Sequence, residues 1–174
     1  QVFGCAPSNI IYNMVKNYIY AGFPEVDKDS VFEFDTTKAL KDGKVKVELT
    51  ERLSKEMKFD VIIGNPPYQG EGKQQIYTDF YVQSIQLADE VCLIFPTGWQ
   101  ESKNANSLSK LNNEKIKRDK QIVQINNIHN AFPGVPGAEW TNIILWKRGY
   151  DNGLCGNQLI SINGEDPEMM MLPI

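Results

Sequence analysis

The apolar run Phe59-Asp60-Val61-Ile62-Ile63-Gly64 stops at Asn65-Pro66-Pro67-Tyr68. No other feature constrains the fold of this chain so strongly. An apolar run of this length that ends at a polar residue and two prolines is a buried strand emptying into a rigid loop. Proline carries no backbone N–H, so Asn-Pro-Pro offers carbonyl oxygens with few competing donors. An amide side chain and an aromatic ring stand beside those carbonyls. Together they can accept hydrogen bonds from an amino group and stack on a flat ring.

Around this point strands alternate with helices. Val2-Phe3-Gly4 reads as the tail of a strand. Pro7-Ser8 opens a helix whose apolar residues, Ile10, Ile11, Met14, Val15, Tyr18 and Ile19, mark one face before Gly22. Val31 to Phe34 is a short strand closed by Asp35 and Thr36, and residues 38–58 read as a loop with a short helix. Residues 69–75 read as a mobile loop. Tyr77 to Ala88 is a helix, Glu90 to Phe95 a buried strand, and 100–119 one or two helices. Ile122 to Asn126 and Thr141 to Trp146 are strands, with Leu159 to Ile162 a further one. This succession predicts an α/β three-layer sandwich with a mostly parallel sheet.

Composition narrows the function. With 174 residues, 41% of them hydrophobic, the chain suits one ordinary domain with a sizeable core. It holds no apolar stretch of about 18 residues, so no membrane partner is expected. The net charge is −4, which argues against a protein that binds DNA through phosphate contacts alone. The basic cluster Lys110, Lys115, Lys117, Arg118 and Lys120 reads as a solvated helix face. Three scattered cysteines and one histidine, His129, suggest neither a disulfide framework nor a metal site. A reducing cytoplasm is the simple expectation.

FDVIIGNPPYQ resembles the signature of S-adenosylmethionine-dependent N6-adenine DNA methyltransferases of restriction–modification and phage systems, in particular the type IIG and type III enzymes. Val2 to Pro7 is similar to that family's second strand and Val31 to Asp35 to its third. Phe95-Pro96-Thr97-Gly98-Trp99 stands in place of an apolar-Pro-x-x-Trp pattern, and Ile128 to Phe132 with Thr141 to Lys147 looks like the final strands. The resemblance covers roughly residues 1–148. It implies a Rossmann-like methyltransferase fold, incomplete at the N-terminus, with a catalytic domain over 1–150. Residues 151–174 would extend toward a recognition domain.

The resemblance also implies roles. Asn65, Pro66, Pro67 and Tyr68 would form the catalytic turn. The Asn65 side chain and the Pro66 carbonyl would accept the adenine N6 hydrogens, Pro67 would stiffen the loop, and Tyr68 would stack on a base flipped out of double-stranded DNA. A second aromatic wall would come from the last strand, Trp146 first and Trp140 second. Asp35 would accept from the adenine of S-adenosylmethionine and Phe34 would wall it. The acidic residue for the cofactor ribose falls on Ala6, which cannot accept those bonds. The family's glycine-rich cofactor loop is expected before residue 1. A restriction or specificity subunit is an expected partner. The alternatives are a methyltransferase of the same fold acting on an RNA base or a protein glutamine, and an inactive DNA-contacting scaffold.

Overall fold

The computed structural model describes residues 3–23, 25, 27, 30–53, 58–70, 75–101, 107–135, 139–154 and 157–172. The chain divides into two compact units, Gln1–Lys55 and Glu56–Ile174, where composition alone suggested one domain.

The first unit pairs two short parallel strands, β1 (Gly4–Ala6) and β2 (Val31–Glu33). Between them runs α1 (Asn9–Met14), capped by the Ser8 side chain and continued by a π-helical segment, Val15–Ile19, and a 3-10 turn, Tyr20–Gly22. The helix is where its periodicity predicts, but its apolar stripe is not in a core. Ile10 is 73% exposed, Met14 55% and Tyr18 79%. Residues 38–58, expected as a loop with a short helix, contain α3 (Val45–Leu53) and most of α2 (Thr36–Lys41). Asp35 is the N-cap of α2, its Oδ1 accepting from the Lys38 N–H at 3.0 Å. A carboxylate there satisfies one of the orphan donors of the first turn.

The second unit carries β3 (Phe59–Gly64), α4 (Tyr77–Leu87), β4 (Ala88–Pro96), α5 (Ser107–Arg118), β5 (Ile122–His129), β6 (Trp140–Lys147), β7 (Gln158–Ile162) and β8 (Glu168–Met170). They form a six-stranded sheet in the order β3-β4-β6-β5-β7-β8. The expected α/β character is present, but the sheet is mixed rather than mostly parallel. β3 pairs parallel with β4 and β5 with β7, whereas β6 is antiparallel to both β4 and β5, and β8 to β7. The reason lies in the connection from β5 to β6. A parallel crossover needs a dozen residues or more, usually a helix; here a turn returns the chain, closed by Asn130 N–H on the Glu139 carbonyl at 2.7 Å. Residues after 150 add β7 and β8 to the same sheet. β3 lies at the end of the described strand order, and Val61 and Ile63 are 49% and 79% exposed, so the strand is half-covered rather than buried.

Alternation fixes the core. Val91, Leu93 and Phe95 of β4 and Ile144 and Trp146 of β6 point toward Tyr77 and Tyr81 of α4 and Ile116 of α5. On β5 a register shift between Ile122 and Gln124 lets both Ile122 and Ile125 face inward despite their odd spacing.

One carboxylate organises the polar part of this core. Asp119 Oδ2 accepts from the Tyr81 hydroxyl at 3.0 Å and from Trp146 Nε1 at 3.1 Å, while Oδ1 accepts from the Gln121 N–H at 2.9 Å. Burial, with the Asp119 charge beside it, holds the Tyr81 phenol well above its ordinary range. Asp119 thereby ties α4, β6 and the start of β5 together. Asp119→Ala leaves two buried donors unpaired and is expected to destabilise the protein by roughly 2–4 kcal/mol. Urea unfolding measures this, with the exposed Asp60→Ala as a control expected to stay within about 0.5 kcal/mol of wild type.

Candidate functional site

β3 ends at Gly64, and Asn65-Pro66-Pro67 leaves the sheet because two consecutive prolines cannot donate to the ladder. Pro66 is buried, whereas Asn65 and Pro67 are exposed. Tyr68 is half-buried and packs against the core of the second unit. Burial pushes the Tyr68 phenol up, and a hydrogen bond from the Asn65 side chain opposes that shift. The Asn65 side chain and the Tyr68 hydroxyl are thus neighbours in this turn. Gln69 and Gln75 then form an antiparallel bridge that closes the following loop.

Tyr68 and that bridge border a cavity of about 450 Å³. The rest of its lining comes from Tyr77, from Pro96-Thr97-Gly98 after β4, and from Glu139 and Trp140 at the start of β6. Below it lies an aromatic stack. Tyr77 lies against Phe95 with centroids 5.2 Å apart and planes at 26°, and Phe95 meets the edge of Trp99 at 6.4 Å. Burial pushes the Tyr77 phenol up to about 12. Trp140 is 42% exposed and rests on His129, centroids 4.8 Å apart. Among the described residues the lining consists of aromatic rings, amides, a hydroxyl-bearing threonine, a proline, a glycine and one carboxylate. Aromatic rings beside amide groups suit a flat heterocycle with polar edges.

The expected site residues fall into separate groups. Asn65, Pro66, Pro67 and Tyr68 form one continuous turn. Trp146, expected to stack on a substrate ring, is a core residue. It is 2% exposed, its indole N–H is bonded to Asp119, and the Arg148 guanidinium lies 5.3 Å from its ring centroid. It cannot present a face to a ligand without unpacking the sheet. Trp140, at the other end of β6, lines the cavity instead. His129, the last residue of β5, backs this ring. Sequence reasoning missed Gln75, Tyr77 and Glu139 as lining residues; Tyr77 has the spacing of a core residue, and its hydroxyl gives no periodic signal.

In the first unit, Asp35 spends Oδ1 on the α2 cap, and Oδ2 accepts no hydrogen bond among the described residues. Phe34 is buried, with the Arg52 guanidinium 5.2 Å from its ring centroid. Ala6 is buried, and its carbonyl already accepts from the Phe34 N–H at 2.8 Å.

The sequence profile of the Eco57I restriction-modification methylases matches residues 2–132. An uncharacterized adenine-specific methylase of Mycoplasma pneumoniae is 32% identical over 125 residues, 65% of this chain and 29% of that protein. The chain thus spans under a third of that relative. The methyltransferase subunit of a type I restriction-modification system from Streptococcus thermophilus has a TM-score of 0.63 at 17% identity, covering 97% of this chain and 39% of its own. A component of a type I restriction-modification system studied for complex assembly and conformational transition has a TM-score of 0.57 at 12% identity, over 86% of this chain and 31% of that one. At these identities the two structures share the fold.

The two tryptophans of β6 should separate cleanly in stability. Trp146→Ala is expected to cost roughly 3–5 kcal/mol in urea unfolding, and Trp140→Ala less than about 1 kcal/mol.

Proposed function

Because this chain belongs to the Eco57I restriction-modification methylase family, we propose that it forms catalytic machinery for transferring a methyl group from S-adenosylmethionine to the N6 amino group of adenine in DNA. The observation that carries this reading is the Asn65-Pro66-Pro67-Tyr68 turn at the end of β3, whose Tyr68 lines a cavity that Trp140 also borders.

The amino nitrogen of adenine is a poor nucleophile because its lone pair is delocalised into the ring. Asn65 Oδ1 and the Pro66 carbonyl are the acceptors for its two hydrogens. Holding both hydrogens draws the nitrogen toward tetrahedral geometry and localises the lone pair. The base must leave the duplex to reach this turn. Tyr68 then takes one of its faces and Trp140 the other, and each stacking contact of this kind is worth roughly 1–3 kcal/mol. Pro67 limits the loop entropy lost when the base enters. Nothing in this scheme needs a covalent enzyme intermediate.

The cofactor, when bound, supplies an electrophilic methyl group. Asp35 fits a role toward it, since its Oδ2 can accept from the adenine amino group at the end of β2. Phe34 could contribute only an edge, being buried, and Ala6 does not fit the ribose contact. Ala6 is the observation that favours the second reading, a DNA-contacting scaffold of the same fold. The partners implied by the first reading are double-stranded DNA with a flipped adenine and a restriction or specificity subunit. A DNA-modifying enzyme of this kind works in the cytoplasm, and among the described residues no helix is long and apolar enough to cross a membrane.

Asn65→Ala in the full-length protein is expected to abolish methyl transfer while S-adenosylmethionine affinity, measured by calorimetry, stays at the wild-type value. Loss of cofactor affinity with an unchanged residual rate would place Asn65 elsewhere in the mechanism. Wild-type protein that methylates RNA or a protein glutamine but leaves adenine in every tested DNA unmodified would overturn the assignment.

A further inference from the structure

The Tyr77 hydroxyl is buried, and it has no hydrogen-bond partner among the described residues. Its ring is fully accounted for, stacked on Phe95 and packed in the core. A phenylalanine would fill that role without burying an unpaired polar group, which costs about 1–3 kcal/mol. The hydroxyl therefore asks for a reason of its own. Tyr77 belongs to the lining of the cavity bordered by Tyr68 and Trp140. Gly98 stands over the hydroxyl from the opposite wall. A Cβ at Gly98 would come within 3.5 Å of Tyr77 Oη and 3.8 Å of Gln75 Nε2. The hydroxyl and the Gln75 amide nitrogen both adjoin the Gly98 Cα, which is bare of a side chain.

Tyr77, like any tyrosine, keeps its proton at neutral pH, and burial raises its pKa further, to about 12, so what it offers is an O–H donor. Adenine carries acceptor ring nitrogens, N1 and N7, on the two sides of its amino group. A base whose amino group is held by Asn65 and Pro66 has acceptors to either side of that anchor. Resting on the function proposed above, we propose that Tyr77 is a specificity-determining residue that donates a hydrogen bond to a ring nitrogen flanking the adenine amino group, and that Gly98 keeps the approach open. The hydroxyl then gains its partner only when the base enters. Its energy appears in substrate recognition and not in the stability of the free protein.

The test pairs protein variants with altered bases. Methyl transfer by the full-length protein is measured on a duplex that the wild type modifies, carrying at the target position adenine, 1-deazaadenine or 7-deazaadenine. Tyr77→Phe is expected to unfold at the wild-type urea midpoint or above, and to lose about tenfold in kcat/KM on adenine, the scale of one hydrogen bond made only in the complex. One deaza base is expected to cost the wild type a similar factor and to cost Tyr77→Phe nothing further. Gly98→Ala, which places a methyl in ordinary contact with the hydroxyl, gives a second route to the same loss. Wild-type kcat/KM in Tyr77→Phe, or deaza penalties of equal size in both proteins, would overturn the proposal. A wild type that modifies no adenine at all would instead defeat the reading on which it rests, and the proposal with it.

Discussion

β3 and β4 run parallel in a register that sets Gly64 beside Leu93, and the site follows from that pairing. Each strand then leaves the sheet at the same edge. β3 empties into Asn65-Pro66-Pro67-Tyr68, and β4 ends one residue before Thr97-Gly98-Trp99. β6 enters from the opposite direction, with Thr141 beside Pro96, so Glu139 and Trp140 arrive where the other two chains depart. Three segments distant in sequence converge because two strands end and one begins at one level of the sheet. Binding sites of α/β proteins commonly lie at the carboxyl ends of strands for this reason. A shift of one residue in the β3–β4 register would turn Ile62 to the opposite face of the sheet and carry Tyr68 off the cavity.

Four of the buried polar atoms without partners among the described residues lie near this edge, and two more, Thr78 Oγ1 and Asn113 Oδ1, lie on α4 and α5. Buried polar atoms are nearly always bonded. Here the hydroxyls of Tyr77 and Thr141, the Trp99 indole N–H and the Asn142 carbonyl oxygen lack partners among the described residues, and all four residues lie within the segments leading into or out of the cavity. Farther along the sheet the opposite holds. Asp119 satisfies Tyr81, Trp146 and a backbone N–H, and Gln158 donates to the carbonyls of Lys117 and Asp119 at 2.9 and 3.1 Å. The polar groups around Asp119 and Gln158 are paired within the fold, whereas those beside the cavity lack protein partners among the described residues.

Much of this was legible in the sequence. The β3 run, the Asn-Pro-Pro-Tyr turn, α4 and β4 carry strong local signals in period and punctuation. The antiparallel entry of β6 was not read, although the absence of a helix between His129 and Trp140 pointed to it. The choice between Trp140 and Trp146 was beyond periodicity. The two are six residues apart on one strand, so their side chains share a face, and only the extent of the covering helices separates them. The core reaches Trp146 and stops short of Trp140. Asp35 shows a different limit. A carboxylate at a strand end reads equally as a helix cap or a ligand group, and the structure uses one oxygen for the cap while the other accepts no bond among the described residues. The α1 stripe was read correctly as a helix face, but periodicity reports amphipathicity and not what covers it.

The central claim is that the cavity beside the Asn65–Tyr68 turn holds the target base between Tyr68 and Trp140. Photocrosslinking tests it most directly. A duplex that the full-length protein modifies is prepared with 5-iodouracil at the target position, irradiated in complex, and the attached peptide is sequenced by mass spectrometry. The account predicts attachment at Tyr68 or Trp140. Attachment at Trp146, or at an aromatic residue outside this cavity, would contradict it.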